Sequence, residues 1–570
     1  MAHTLNRRSF LAHTAAFAAA GLVPASSALG AAQSPKLTPM IAAERDSIRA
    51  AMRGSRIGAA AVCFVQNGEP QWVEGFGHTS EAEAHAVNDS TLFSIQSTTK
   101  SFTTVAVLLS VQDGLLDLDA PITRYLPDFT VRSRFEAAPE KRITLRLLLA
   151  NRAGFTHEAP VGNNYEAASP GFEAHVRSIA ATWLRFPVGE RYRYSNLGFD
   201  LAGHILEQST GTGYAQWLQR KLFTPLDMHD STADPAVYMA RSNRAVGSQD
   251  GFAEVPSVTP LVASGGVWTS ARDMAKYLSF MLARGRGKRQ PLLAPELWNE
   301  MHGFGLGGDY GLGVMRTERR YGSTPVRLLH HRGGGFGFGC VFTYCPEAEL
   351  GFAAMFNRAT SAGYGFGDAL TDHLLAARFG PRAPRLPASA MAPIRPNPDR
   401  AHAFAGSWIG RNVHVDIRRT DDGQLRLHRK DTGTDVPFEL VDTDVMFTVD
   451  AEGEVVTYRY HAPVADLPAH LECASGEESL DHNDSPAMPA GPEKPQWDRW
   501  LGRYRIDQWG KPAMVVEIER RAGWLYLDGT RLVVETEPGL FFTSDGEAVD
   551  FRGSTPTWRN LLLHRIQPGG

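Results

Sequence analysis

The stretch Phe93-Ser94-Ile95-Gln96-Ser97-Thr98-Thr99-Lys100-Ser101 decides how the rest of the chain is read. Apolar residues at helical spacing follow over 101–116 and Gly114 supplies a stop, which predicts a helix entered at this point. Residues three apart share one helix face, so the Lys100 amine can stand beside the Ser97 hydroxyl. A serine is a weak nucleophile until a neighbouring base takes its proton, and a lysine whose charge is disfavoured by burial can be that base. The helix N-terminus would add backbone N–H groups for a developing oxyanion. Taken alone, Ser-x-x-Lys is a common pattern, and a helix N-cap accounts for Ser97 as well.

Two later stretches add chemistry of the same kind. Tyr194-Ser195-Asn196 comes just before a helical run over 197–208. A tyrosine there can relay a proton to a leaving group, and an asparagine can hold Lys100 or a substrate amide by hydrogen bonds. His331-Arg332-Gly333-Gly334-Gly335-Phe336-Gly337-Phe338 precedes a strand signal at 341–344. Its glycines allow close approach of a substrate main chain and offer N–H groups. The bland reading is a glycine-rich turn, and His330 competes with His331 for the site.

Around these stretches, strand runs at 58–65 and 71–75 flank Gln66-Asn67-Gly68, a strong hairpin signal. Leu328-Leu329, 341–344 and 351–355 read as further strands, with a helix at 271–283 before them. Strands at both ends with helices between predict an α/β (α+β) domain whose antiparallel sheet joins N- and C-terminal segments. Beyond it, Gly406-Ser407-Trp408 returns as Gly502-Arg503-Tyr504, Asp422 to Leu427 as Ala522 to Leu527, and Met446-Phe447-Thr448 as Phe541-Phe542-Thr543. With alternating Val413-His414-Val415-Asp416-Ile417 and Val515-Val516-Glu517-Ile518-Glu519, this predicts two small antiparallel β-barrels. The proline-rich stretch 381–399 and the polar, proline-bearing stretch 476–494 read as linkers, giving domains at 36–380, 400–475 and 495–570.

The order Ser-x-x-Lys, Tyr-Ser-Asn, His-x-Gly resembles the penicillin-recognising serine hydrolases: class C β-lactamases, D,D-carboxypeptidases, D-aminopeptidases and related esterases. Residues 113–122, Pro187-Val188-Gly189-Glu190, Pro225-Leu226-Asp227-Met228, residues 264–269 with Asp273, and Tyr310-Gly311-Leu312-Gly313 carry the same resemblance. It implies a nucleophile at Ser97, its base at Lys100, proton transfer by Tyr194, positioning by Asn196 and a third-motif residue at His331. It further implies an oxyanion hole from the N–H groups of Ser97 and Gly334, with Gly333 and Arg332 beside the substrate. Asn151-Arg152-Ala153-Gly154 departs from the usual His-Thr-Ser-Gly, and Arg332 stands where a hydroxyl is common, which counts against an efficient β-lactamase. One catalytic domain followed by two barrels looks most like the D-aminopeptidase type. The implied activity is hydrolysis of a peptide or amide bond, as in D-amino-acid peptides. A carboxylesterase or weak β-lactamase on the same site, and a non-catalytic binder of peptidoglycan fragments, stay open beside it.

Composition sets the outer limits. Of 570 residues, 43% are hydrophobic and 21% charged, which excludes a mainly disordered or polytopic membrane chain. Lys plus Arg is 58 and Asp plus Glu is 62, a net charge of −4 that gives no electrostatic reason to bind nucleic acid. The partner expected is a small molecule or short peptide, an oligomer is left open, and no metal or cofactor is expected. Gly303-Phe304-Gly305-Leu306-Gly307-Gly308 lacks the strand and helix of a dinucleotide site and reads as a loop, and His157-Glu158 lacks a second zinc-binding histidine. Asn6-Arg7-Arg8-Ser9-Phe10-Leu11, an alanine-rich run and small residues at 25–32 read as a twin-arginine export signal over 1–32. Cleavage would leave a periplasmic or secreted chain without a membrane span, its charge moved from −4 to −6 by loss of Arg7 and Arg8. Cys340 and Cys345 are five apart on one strand and face opposite ways, so buried free thiols are expected.

Overall fold

Asn67 and Gly68 both take positive φ, 54° and 78°, which is the backbone a two-residue hairpin requires. In the computed structural model this turn joins β1 (Ala59–Gln66) to β2 (Glu69–Gly77). The described residues run from 37 to 567, except 81–84, 167–169, 253–254, 288–290, 307–308, 383–400, 402, 411–412, 431, 441–443, 450–454, 464–466, 474–479, 485–489 and 493. The export signal, most of the 381–399 linker and the end of the Gly303–Gly308 stretch thus lie outside the described residues.

Four strands complete the first sheet: β3 (Met315–Tyr321), β4 (Thr324–Gly335), β5 (Phe338–Cys345) and β6 (Leu350–Phe356). The order is β2-β1-β6-β5-β4-β3, antiparallel throughout, so the first and last segments of the domain meet at β1 and β6. Every residue of β6 is buried, because helices cover both faces. A Cβ on Gly351 would meet Leu278 of α4 (Ala271–Leu282), whereas Phe352 lies against Gly367 at the start of α5 (Asp368–Phe379). Adjacent strand residues point to opposite faces, which puts α4 and α5 on opposite sides of the sheet. The N-terminal helix α1 (Leu37–Ser55) joins the α5 side, its buried Glu44 accepting the Gly367 N–H at 2.8 Å. Two further helices, α2 (Thr99–Gln112) and α3 (Asn196–Thr210), build the helical half of the domain, and α2 is buried from Thr99 through Ser110. An all-round buried helix explains why residues 101–110 are uniformly apolar or small.

The repeat in the sequence is a repeat in space. Each copy forms a nine-stranded, nearly closed antiparallel barrel, one starting at Gly406–Ile409 and the other at Gly502–Gln508. The paired glycines share backbone geometry: φ is 139° at Gly406 and 135° at Gly502, then 83° at Gly423 and 85° at Gly523. Trp408, Val415, Leu427 and Leu471 fill the first barrel; Trp497, Tyr504, Ile518, Leu527 and Phe541 fill the second.

Two expectations, and the bland alternative for the third motif, are corrected. The helix after Ser97 runs Thr99–Gln112 rather than 101–116, and a 3-10 turn at Gln96–Thr98 leads into it. The glycine-rich third motif is strand rather than turn: β4 continues to Gly335, and the reversal falls at Phe336 and Gly337, with φ of 48° and 72°. The supposed linker 476–494 contains a barrel strand, Leu480–Asp484, paired to both Gly406–Ile409 and His470–Cys473. Its polar residues hid it, because they serve domain contacts rather than solvent. Cys63, Cys340 and Cys345 are buried free thiols, and Cys473 is buried too. Among the described residues no helix is long and apolar enough to cross a membrane.

Trp408 is fully buried and its indole N–H donates to the Phe404 carbonyl at 2.8 Å. Trp408→Ala should destabilise the first barrel by about 3–5 kcal/mol, read as an earlier transition in chemical denaturation.

Candidate active site

Ser97 sits at a junction held from three directions. Phe93–Ser94 pairs with Trp268–Thr269, and the Ile95 N–H donates to the Val267 carbonyl at 3.1 Å. Gln96 is then forced to a φ of +47°, and its side-chain amide donates to Ser94 Oγ at 2.8 Å. Such backbone strain in a non-glycine residue persists only where its surroundings over-determine it. The turn leaves the Ser97 hydroxyl half-buried at the entrance to α2, where backbone N–H groups lack helical partners.

One turn on, Lys100 is fully buried. Its Nζ lies 3.1 Å from Ser97 Oγ, 2.8 Å from Asn196 Oδ1 and 2.9 Å from the Ser264 carbonyl. Both side-chain acceptors come from predicted motifs. Ser264 contributes main chain alone, and Asp200 aims it. The Asp200 carboxylate accepts from the N–H groups of Ala263 and Ser264, both at 2.9 Å, and from Ser264 Oγ at 2.8 Å. Asn196 is fixed by its place at the start of α3, capped by Ser195, whose Oγ accepts the Leu197 N–H at 3.1 Å.

Tyr194 stands over this group, with Lys100 Nζ 4.7 Å from its ring centroid. His331 closes the far side, 6.3 Å from Tyr194 between ring centroids. The His331 Nδ1–H donates to the Arg332 carbonyl at 2.7 Å, so Nε2 accepts from the Tyr310 hydroxyl at 3.1 Å. Burial pushes His331 down to about 3, so the ring is neutral. Burial holds the Tyr310 phenol well above its ordinary value, keeping it a donor. His330 points the other way and meets Thr317 Oγ1 at 3.0 Å, which settles the choice between the two histidines. Arg332 shares that outer face: it is exposed, with its guanidinium carbon 5.8 Å from the Tyr364 ring centroid. Strand alternation therefore turns Arg332 away from His331, and the structure does not bring it into the Lys100 group.

The glycines of β4 have a steric reason. A Cβ on Gly333 would lie 2.1 Å from the Ile95 carbonyl oxygen, and one on Gly335 would lie 3.0 Å from the Gln96 amide oxygen. Only a bare backbone lets this strand run against the Ser97 turn. Gly334 between them is exposed. Beyond Gly335 the second barrel packs against the domain. Trp509, at the tip of a hairpin with φ of 51°, packs on Phe336 and Phe252 at 5.4 and 4.9 Å between rings. Its indole N–H donates to the Asn164 carbonyl at 3.1 Å. His157 lies beside Tyr194 at 6.0 Å between rings and pairs with Glu158 at 2.7 Å. Among the described residues no group of His, Cys, Asp and Glu is arranged to hold a metal ion. Asp200 and Trp509 carried no sequence signal of their own, whereas Ser264 lay in the 264–269 stretch and Tyr310 in the Tyr310–Gly313 stretch.

The sequence-family model described as Beta-lactamase matches residues 45–377. Among curated proteins, the chain is 25% identical over 241 residues to "Protein flp" of Staphylococcus aureus (strain MW2), covering 40% of this chain and 47% of that protein. It is 26% identical over 337 residues to "Unguisins hydrolase ungD'" of Aspergillus campestris (strain IBT 28561), covering 55% and 60%. The chain thus spans about half the length of the first and less than two-thirds of the second. Among solved structures, the octameric penicillin-binding protein homologue from Pyrococcus abyssi aligns with a TM-score of 0.51 at 20% identity, covering 77% of this chain and 99% of that one. SurE solved with D-Leu aligns with a TM-score of 0.54 at 23% identity, with the same coverage. Both likenesses concern the fold.

Gly333→Ala should drive β4 off the Ser97 turn, costing about 1–3 kcal/mol and abolishing reaction at Ser97, read by denaturation and by labelling with a serine-directed probe. A second expectation concerns pH. Burial pushes His302 down to about 4 and His330 and His331 down to about 3, so they stay neutral in the fold but charge near pH 6.5 once unfolded. Stability is therefore complete above pH 6.5 and lost as pH falls toward 4, by about 1.4 kcal/mol per pH unit for each histidine. His331→Gln should flatten that slope in denaturation series at pH 7, 6 and 5.

Proposed function

Because the chain belongs to the beta-lactamase family of serine hydrolases, we propose that it hydrolyses a small peptide or amide through an acyl-enzyme on Ser97. The observation that carries this is the threefold contact of Lys100 Nζ with Ser97 Oγ, Asn196 Oδ1 and the Ser264 carbonyl. In the reactive form the amine is neutral: it donates to Asn196 and Ser264, and its lone pair faces the Ser97 O–H. In the reaction the Ser97 proton passes to Lys100 Nζ as Oγ bonds to the carbonyl carbon. The oxyanion is received by the N–H groups of Ser97 and Gly334. The tetrahedral adduct collapses by breaking the carbon–nitrogen bond, and the Tyr194 hydroxyl protonates the departing amine. Water then attacks the ester, its proton returning through the same groups, and Ser97 is released with its hydrogen restored.

The substrate reading rests on the third motif and its covering. His331 is neutral, so it orients by hydrogen bonding and supplies no charge for a substrate carboxylate. Trp509 of the second barrel packs on Phe336, just past the glycines of the third motif, and this close covering supports small substrates. The neighbour solved with D-Leu supports a D-amino-acid acyl group. Export by the twin-arginine signal, and a periplasmic or secreted working place, complete the proposal.

A fluorophosphonate probe should label Ser97 in the wild-type chain, identified by mass on the Ser97 peptide, and fail in Ser97→Ala. Lys100→Ala should lower turnover by at least about 1,000-fold. A panel of D-alanine p-nitroanilide, p-nitrophenyl esters and nitrocefin should show the anilide as the best substrate. Absence of any label on Ser97 would end the proposal.

A further inference from the structure

The first barrel meets the catalytic domain through charge. Asp481, on the barrel strand Leu480–Asp484, is buried to 2% exposure. Arg191 Nη1 donates to its Oδ1 at 2.7 Å, and Arg193 Nη2 donates to its Oδ2. Arg191 Nη2 also donates to the Pro468 carbonyl at 2.9 Å. A few residues away on the same barrel, Glu472 accepts from Arg152 Nη2 at 2.8 Å. Burial alone would raise the Glu472 carboxyl, but a hydrogen bond from His461 and the charge of Arg152 outweigh it and hold it at about 2.

These arginines are not scattered. Arg193 directly precedes Tyr194. The N–H of Arg193 donates to the Asn151 carbonyl at 2.9 Å, and that of Ser195 to Asn151 Oδ1 at 3.0 Å. Asn151 in turn precedes Arg152, whose carbonyl accepts the Gly189 N–H at 2.9 Å. The main chain on both sides of Tyr194 is therefore bolted to one loop, and that assembly is fastened to the barrel at Asp481 and Glu472. A carboxylate buried between two guanidiniums is a stiff fastening, because breaking any pair strands a charge without water.

We propose that Asp481 is a positioning residue for Tyr194, setting through Arg193 where the phenol stands to protonate the leaving group. The inference rests on the role given to Tyr194 above. It has a signature that a general loosening of the fold lacks. Expulsion of an amine needs the Tyr194 proton; expulsion of p-nitrophenolate does not. An ångström of misplacement at a reacting group costs on the order of 100-fold.

The test compares kcat/KM, which reports acylation, on the anilide and the p-nitrophenyl ester of the acyl group that wild type turns over best. Asp481→Asn should lower the anilide value by about 100-fold and the ester value by no more than about threefold. Arg193→Lys, which keeps the charge but loses the fork, should show the same split to a smaller degree, and carries the test if Asp481→Asn does not fold. Asp545→Asn breaks the corresponding docking of the second barrel at Arg185, 3.1 Å away, and should lower both values alike or neither. An equal fall on anilide and ester in the Asp481 and Arg193 variants, no fall in either, or the same split in Asp545→Asn would overturn the inference. Loss of fluorophosphonate labelling in wild type would instead bring down the role of Ser97 itself.

Discussion

A lysine nitrogen kept in one place is the constraint around which this molecule is arranged. Lys100 lies out of reach of solvent, and its partners come from three separated parts of the chain: the turn before α2, the start of α3 and the carbonyl of Ser264. Each partner is itself held. Gln96 folds its amide back onto Ser94, Ser195 caps α3, and Asp200 grips Ser264 by main chain and side chain. A buried polar network of this kind is stable only when every member is satisfied, so the site is rigid for the same reason that it is intact.

The remainder of the architecture serves that centre by approaching it closely. β4 can run against the Ser97 turn only because its residues there have no side chains. Paired charges join both barrels to the catalytic domain, Asp481 and Glu472 from the first and Asp545 from the second. Burial would raise the Asp545 carboxyl, yet Arg185 and Arg559 outweigh it and hold it below the ordinary carboxylate range. Such contacts are weak sources of stability but exact in geometry. The two barrels are thus fixed to the catalytic domain: one sets a hairpin against Phe336, the other contacts the loops on either side of Tyr194.

Much of this was legible because the chemistry is local in the chain. Ser97 and Lys100 are three apart, Tyr194 and Asn196 two apart, and the Asn67–Gly68 turn carries its own backbone requirement. The barrels were legible because they occur twice. What stayed hidden has common physical causes. Ser264 acts through a carbonyl that every residue possesses. Gly333 to Gly335 show no alternation because there is nothing to alternate. Leu480–Asp484 looks like a linker because its acids meet arginines far away in sequence. Arg152 read as a departure from the family pattern; its ion pair with Glu472 at 2.8 Å gives it a purpose in a chain that has a barrel to dock.

The thiols carry a last consequence. Burial raises Cys340 and Cys345 to about 12, and thiolates are the form that oxidants and metals attack. Cys63, Cys340 and Cys345 are therefore inert filling, and the sheet they help to build needs no oxidising partner to mature. The catalytic half of the chain keeps one covalent structure whether its surroundings are oxidising or reducing.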